Sequence, residues 1–245
     1  MRTADAMRVG CCGFPVARRK YYATFAAVEI QQTFYQPPRP ETAAKWRAEA
    51  PAGFEFAIKA WQLITHEPTS PTYRRLKIEI PVTRASRYGS FKPTDEVREA
   101  WEVTRRFARE LGALLVLFQC PASFTPSAGN KKNMRRFFAA VERGNLTLVW
   151  EPRGEWSADE IRGLCEELDL VHCVDPLQRP AVWGRLRYYR LHGPAGYNSR
   201  YEPPQLQRLL GMCARKTYVF FNNRYMFEDA RAFLRLLRRT APSRP

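Results

Sequence analysis

Short apolar runs alternate with amphipathic segments along the whole chain. Eight runs read as strands: Met7–Cys12, Val28–Ile30, Phe54–Lys59, Leu114–Cys120, Leu146–Trp150, Leu170–Val174, Arg187–Leu191 and Thr217–Phe221. Most are apolar at consecutive positions, as strands covered on both faces of a parallel sheet must be. Between them, helical patterns span Ala17–Ala26, Pro40–Ala50, Thr94–Leu111, Asn133–Val141, Ser157–Leu168, Pro203–Cys213 and Phe227–Leu237. In Thr94–Leu111 the residues Val97, Trp101, Thr104, Phe107 and Leu111 form one stripe, with Thr94 placed to cap the first turn. Ser157 and Glu160 have capping-box spacing, and Pro40 opens its helix where a missing N–H is harmless. The segment after Val174 holds Pro176 and Pro180, which predicts an irregular or missing sixth helix.

Eight strands alternating with helices over this length predict an α/β protein, a (β/α)8 TIM-type barrel. It is read as a single barrel domain over residues 1–245, with 1–6 a disordered extension and 240–245 a tail. An open doubly wound sheet would normally carry a glycine-rich phosphate loop after its first strand. Here that turn reads Gly10-Cys11-Cys12-Gly13-Phe14 and does not match. The stretch from Ala60 to Phe91 is long for a βα loop, which marks it as an active-site or binding loop.

Composition adds a partner class. The 245 residues are 45% hydrophobic and 26% charged, which excludes disordered and collagen-like chains. The formal net charge is +16, and the 40 basic residues are 32 Arg and 8 Lys. From Trp183 onward thirteen basic residues face three acidic ones. Such a field attracts polyanions, so the expected partner is nucleic acid or a phosphate-bearing small molecule. No membrane partner is expected: no apolar stretch approaches the roughly 18 residues of a span. The N-terminus lacks a signal core, giving a cytoplasmic expectation. The six cysteines show neither C-x-x-C pairing nor zinc spacing, as suits free thiols in a reducing compartment.

In such a barrel the chemistry sits at the C-terminal ends of the strands. The polar residues there are Glu29, Tyr35, Lys59, Trp61, His66, Gln119, Glu151, Arg153, Asp175, Arg190, His192, Tyr197, Asn222 and Asn223. Glu29 and Glu151 could divide acid and base roles, with His192 stabilising charge beside them. The structural alternative is that Lys59 and Arg153 simply neutralise the two carboxylates. Tyr35, Lys59, Trp61, His66, Gln119, Arg153, Arg190, Tyr197, Asn222 and Asn223 offer charge, donors and flat faces for a ligand. Magnesium or manganese would need Glu29, Glu151, Asp175 and His192 together, but Lys59, Arg153 and Arg190 share the rim and repel a cation. No metal site is therefore assigned, and three histidines are too few for a trinuclear zinc site. Cys11, Cys12, Cys120 and Cys173 fit buried apolar positions, the alternative being a thiolate near Lys59 or Arg190.

The segments VEIQQTFYQPP, GFEFAIKAWQLITH, LLVLFQCPASF, VWEPRGEW, YYRLHG and YVFFNN occur in this order between about Met7 and Asn223. Together they resemble the YecE-like family (domain of unknown function 72). The resemblance implies a (β/α)8 barrel, similar to the xylose-isomerase-like barrels that include apurinic-site endonucleases, and on that likeness a DNA-related role. The family-pattern positions are Glu29, Thr33, Phe34, Tyr35, Lys59, His66, Gln119, Glu151, Arg153, Arg190, His192, Gly193, Asn222 and Asn223. Two departures stand out: Cys11-Cys12 and Phe14 replace a usual Thr-Ser and Trp, and Gln31 replaces an Asn. The leading expectation is a cationic strand-end pocket for a phosphate-bearing ligand carried by nucleic acid, with endonuclease-like hydrolysis if there is chemistry. A small-molecule enzyme acting on a sugar phosphate or organic acid, and a non-catalytic nucleic-acid binder, are the alternatives.

Overall fold

The computed structural model describes residues 7–214 and 216–240. The expected extension at 1–6, the tail beyond 240, and Arg215 and Arg244 of the basic count lie outside the described residues.

Eight parallel strands are present: β1 (Met7–Cys11), β2 (Ala27–Ile30), β3 (Glu55–Lys59), β4 (Leu115–Gln119), β5 (Thr147–Glu151), β6 (Val171–Val174), β7 (Arg187–Leu191) and β8 (Thr217–Phe221). Their ladder runs β1-β8-β7-β6-β5-β4-β3-β2. The gap between β1 and β2 is narrowed by a Cys12–Glu29 bridge, where the Gly13 N–H donates to the Glu29 carbonyl at 2.8 Å. The result is a nearly closed barrel. Closure depends on Gly10, because a Cβ there would lie 2.1 Å from the Ala27 carbonyl oxygen. Tyr21, from α1 (Arg18–Tyr22), substitutes for the missing ladder bonds. Its hydroxyl accepts from the Cys11 N–H at 2.7 Å and donates to the Ala27 carbonyl at 2.9 Å.

The remaining helices among the described residues are α2 (Gln32–Tyr35), α3 (Pro40–Glu49), α4 (Gln62–Thr65), α5 (Asp95–Leu111), α6 (Ala128–Ala140), α7 (Ala158–Glu167), α8 (Pro203–Met212) and α9 (Met226–Thr240). Thr94 caps α5, whose predicted stripe is buried, and Ser157 with Glu160 forms the capping box of α7. Helix α6 starts at Ala128 rather than at Asn133, because Ser127 accepts the Asn130 N–H at 3.2 Å and begins the first turn earlier. No helix separates β6 from β7, in line with the two prolines of that connection. No helix among the described residues is long and apolar enough to cross a membrane.

Two apolar layers result. Outward-facing strand residues pack against the helices, while Ala27, Ala57, Leu115, Leu117, Val149, Val171, Cys173, Tyr188 and Phe220 fill the interior with Cys12. The long connection after β3 is a closed excursion containing α4 and two 3-10 turns, Pro71–Arg75 and Val82–Arg87. It returns through Gly89, Ser90 and Phe91, all left-handed. Their N–H groups donate to the Leu63, Thr65 and Ile64 carbonyls at 2.9, 3.3 and 2.9 Å, satisfying acceptors that a one-turn helix leaves open. Phe91 then plugs into Phe118, Phe124, Phe137 and Phe138, with ring centroids 5.3–5.9 Å apart.

Candidate functional site

Strand geometry decides which polar groups reach the barrel mouth. Side chains two apart share a face, so the residue two beyond an interior position points inward one layer higher. Ala27, Ala57, Leu117, Val149, Cys173, Tyr188 and Phe220 are interior. Two further along come Glu29, Lys59, Gln119, Glu151, Asp175, Arg190 and Asn222. Asn223 falls on the opposite parity, two beyond the outward Phe221. It donates instead to the Ser199 carbonyl and to Asp229 on α9, both at 2.8 Å. Trp61 lies past the end of β3, where the alternation has lapsed. It opens α4, its backbone N–H 3.4 Å from Thr104 on α5, and is buried.

Arg190 is the hub of the lower layer and is only 1% exposed. Its Nε donates to Glu29 Oε1 at 3.1 Å, and its Nη1 to Glu151 Oε2 at 2.5 Å and Gln119 Oε1 at 3.4 Å. Glu29 also accepts from the Tyr188 hydroxyl at 2.5 Å, from the Cys12 thiol at 3.2 Å and from the Gln31 amide. Glu151 accepts from Arg153 Nε and Nη2, both at 3.2 Å. Burial raises the Glu151 carboxyl, but the fields of Arg190 and Arg153 outweigh it and hold the group at about 2. Burial likewise works against the Arg190 charge, and the two carboxylates outweigh it. The expected neutraliser Lys59 is therefore corrected to Arg190, while Arg153 partners Glu151 as anticipated.

Lys59 is different. It is 5% exposed, and its Nζ sits 3.6 Å from the centroid of the Phe34 ring. Among the described residues it has no ion pair and no side-chain hydrogen bond. Burial first, then repulsion from Arg190, pulls its ammonium down to about 7, against partial restoration by Glu151 and Glu29. The backbone beneath it is fixed by the Thr33 hydroxyl, which donates to the Lys59 carbonyl at 2.6 Å.

Both mouth histidines are neutral at pH 7. Burial, then the Lys59 and Arg153 charges, lowers His66 to about 3; its Nδ1 lies 2.8 Å from Thr65 Oγ1. Burial, then Arg190, lowers His192 to about 4. Its Nε2 lies 2.8 Å from Arg153 Nη2 and 3.3 Å from Arg190 Nη1. Guanidinium groups only donate, so Nε2 is the acceptor and the proton resides on Nδ1.

Above this layer opens a cavity of about 630 Å3. It is lined by Tyr35, Lys59, His66, Gln119, Arg153, Arg190, His192, Tyr197 and Asn222 from the expected set. Gln31, Phe34, Thr72, Arg75 and Gly196 complete it. Arg75 and Thr72 come from the long connection after β3, whose length was the only sequence signal for them. The Arg75 guanidinium stacks 3.5 Å from the Tyr35 ring centroid. Gly193 shapes the β7 exit: its φ is 90°, and a Cβ would meet the Gly196 carbonyl oxygen at 2.1 Å.

The family model described as "Protein of unknown function DUF72" matches residues 17–245. The chain belongs to the DUF72 family. No curated protein matches it. A DUF72 family protein from Enterococcus faecalis is 19% identical, with a TM-score of 0.71 over 95% of this chain and 97% of that one. A xylose isomerase domain containing protein from Salmonella typhimurium is 11% identical, with a TM-score of 0.62 over 98% of both chains. Endonuclease IV from Thermus thermophilus is 14% identical, with a TM-score of 0.54 over 95% of this chain and 98% of that one. At these identities the likeness is one of fold.

The donor set of this DUF72 barrel does not fit a divalent cation. Among the described residues no group of three or more His, Cys, Asp or Glu is arranged to hold one. The Glu29 and Glu151 oxygens are taken by Arg190, Tyr188, Arg153, Cys12 and Gln31. Asp175 instead accepts the Leu177 N–H at 3.0 Å and shapes the irregular sixth connection. All six cysteines are free thiols. Burial pushes Cys11, Cys12, Cys120 and Cys173 well up, which keeps them protonated and argues against the thiolate alternative.

Proposed function

We propose that the barrel mouth is an anion site for a phosphate-bearing ligand, with a nucleic-acid strand as its carrier. The observation that carries this reading is the lining: Lys59, Arg75, Arg153 and Arg190 border the cavity, and among the described residues no carboxylate does. Glu29 and Glu151 lie below, already matched to Arg190. In this reading they position that guanidinium, and they do not move protons. Neutral His66 and His192, with Gln31, Gln119 and Asn222, supply further polar contacts.

A strand is favoured over an isolated metabolite by an adjoining groove of about 560 Å3. It shares Tyr35 and Arg75 with the cavity and adds Arg39 and Lys77. Cations spaced along a groove beside an aromatic face suit a phosphodiester backbone with unpaired bases. The endonuclease name of the Thermus thermophilus neighbour is compatible with a nucleic-acid ligand, by likeness of fold only. A free sugar phosphate is the second reading, favoured by a cavity volume within the usual range for one small ligand.

Fluorescence anisotropy with a labelled single-stranded oligonucleotide tests this. Affinity should fall steeply between about 50 and 200 mM salt. It should also weaken in Arg75→Gln, which touches both the cavity and the groove. Salt-independent affinity, or an unchanged Arg75→Gln protein, would remove the strand from the account.

A further inference from the structure

We propose that Lys59 forms an imine with the carbonyl carbon of a phosphate-bearing open-chain sugar held in the barrel mouth. The proposal rests on the anion reading above and adds a covalent step to it. Lys59 is the one buried lysine of the eight. Lys92 and Lys131 pair with Glu67 and Glu160, Lys20 lies exposed over Phe227, and Lys45, Lys77, Lys132 and Lys216 are exposed. Lys59 alone lines the cavity, and it does so with the Phe34 ring at 3.6 Å and no acid paired to it.

An amine reacts with a carbonyl only as the free base, and this environment supplies it. At about 7, Lys59 carries on the order of a thousandfold more free amine at neutral pH than an ordinary lysine does. Its lone pair would attack the carbonyl carbon, and one of the two amine protons would pass to the carbonyl oxygen, giving a carbinolamine. The second N–H proton then passes to the hydroxyl as the C–O bond breaks, and the oxygen leaves as water. The product is a Lys59 Nζ=C imine, with no oxidant or reductant consumed. Arg153 and Arg75 would hold the phosphate.

The shared ligand chemistry is a sugar aldehyde next to a phosphate. A free aldose phosphate and a base-less nucleotide in a DNA strand both carry it. The test incubates the full chain at neutral pH with ribose 5-phosphate and cyanoborohydride, which reduces an imine to a stable secondary amine. Intact-mass measurement and peptide mapping then locate the adduct. A base-less single-stranded oligonucleotide forms the second arm, and ribose the phosphate-free control. The expected result is one adduct, on Lys59, formed faster with either phosphorylated probe than with ribose and slowed by excess inorganic phosphate. The faster arm names the source. Adducts spread over the exposed lysines, or an unmodified Lys59, overturn the proposal, even where ribose 5-phosphate binds by calorimetry and the anion reading stands. Modification of Lys59 at equal rates by ribose and ribose 5-phosphate keeps the imine and overturns the anion reading. Mapping on the unaltered chain needs no variant to fold; Lys59→Arg, where folded, should lose the adduct.

Discussion

Arg190 and Lys59 are two buried cations of the same cavity, and they live under opposite conditions. Arg190 on β7 is held by carboxylates from β2 and β5, so its charge is matched before any ligand arrives. Lys59 on β3 has an aromatic ring against it and, among the described residues, no ion pair. The mouth therefore has a neutralised half that ties distant strands together and an unmatched half turned to the cavity. A protein tolerates an unmatched buried ammonium by letting its pKa fall, and a chemical use is one reason for keeping it.

Removing the matched cation should have the largest effect. Arg190→Met leaves Glu29 and Glu151 facing each other without their shared partner. Breaking such a pair costs about 3–5 kcal/mol, which urea unfolding would read. A loss below about 1 kcal/mol would mean that the cluster does not hold the barrel. Tyr188→Phe should have a smaller effect, because it deletes a single donor to the buried Glu29 carboxylate. Hydrogen bonds to charged groups are worth about 1.5–3 kcal/mol, and the same unfolding measurement checks it.

Lys59→Met should act in the other direction, leaving stability at pH 7 unchanged or raised, because no acid loses a partner. The pH dependence sharpens this contrast. The folded Lys59 titrates near 7 against an ordinary 10.5, so between those values the unfolded chain binds more protons. Stability of the wild-type chain relative to Lys59→Met should rise with pH across that window, with the full penalty present below about 7. A flat difference would show that Lys59 is not desolvated. Glu151 has the opposite sign: its contribution is present above 4.5 and is lost as pH falls toward about 2. Glu151→Gln should remove that part of the acid limb.

Much of this was legible in the chain. Apolar runs gave the eight strands, and Pro176 and Pro180 marked the connection without a helix. Their position at the C-terminal ends of strands marked Glu29, Lys59, Gln119, Glu151, Arg190 and Asn222 as candidates for one mouth. The misses have physical causes. Asn223 fails by parity, and Trp61 lies where the strand has ended. Arg75 and Thr72 reach the cavity from a long connection whose path no periodicity specifies. The pairing was hidden because Arg190 and Glu29 are 161 residues apart and meet only across the barrel. Tyr188 reads as one more core aromatic until its hydroxyl is seen on Glu29.

The central claim is that the cationic lining of the mouth receives a phosphate. Calorimetric titration of ribose 5-phosphate into the wild-type chain and into Arg153→Gln tests it most directly. Arg153 borders the cavity and is more than a third exposed, so its loss should remove a ligand contact with little effect on folding. The account predicts saturable binding by the wild type, weakened about tenfold in the variant, as the loss of one charge-assisted contact implies. No binding by a folded wild-type chain, or equal affinity in both, would contradict it.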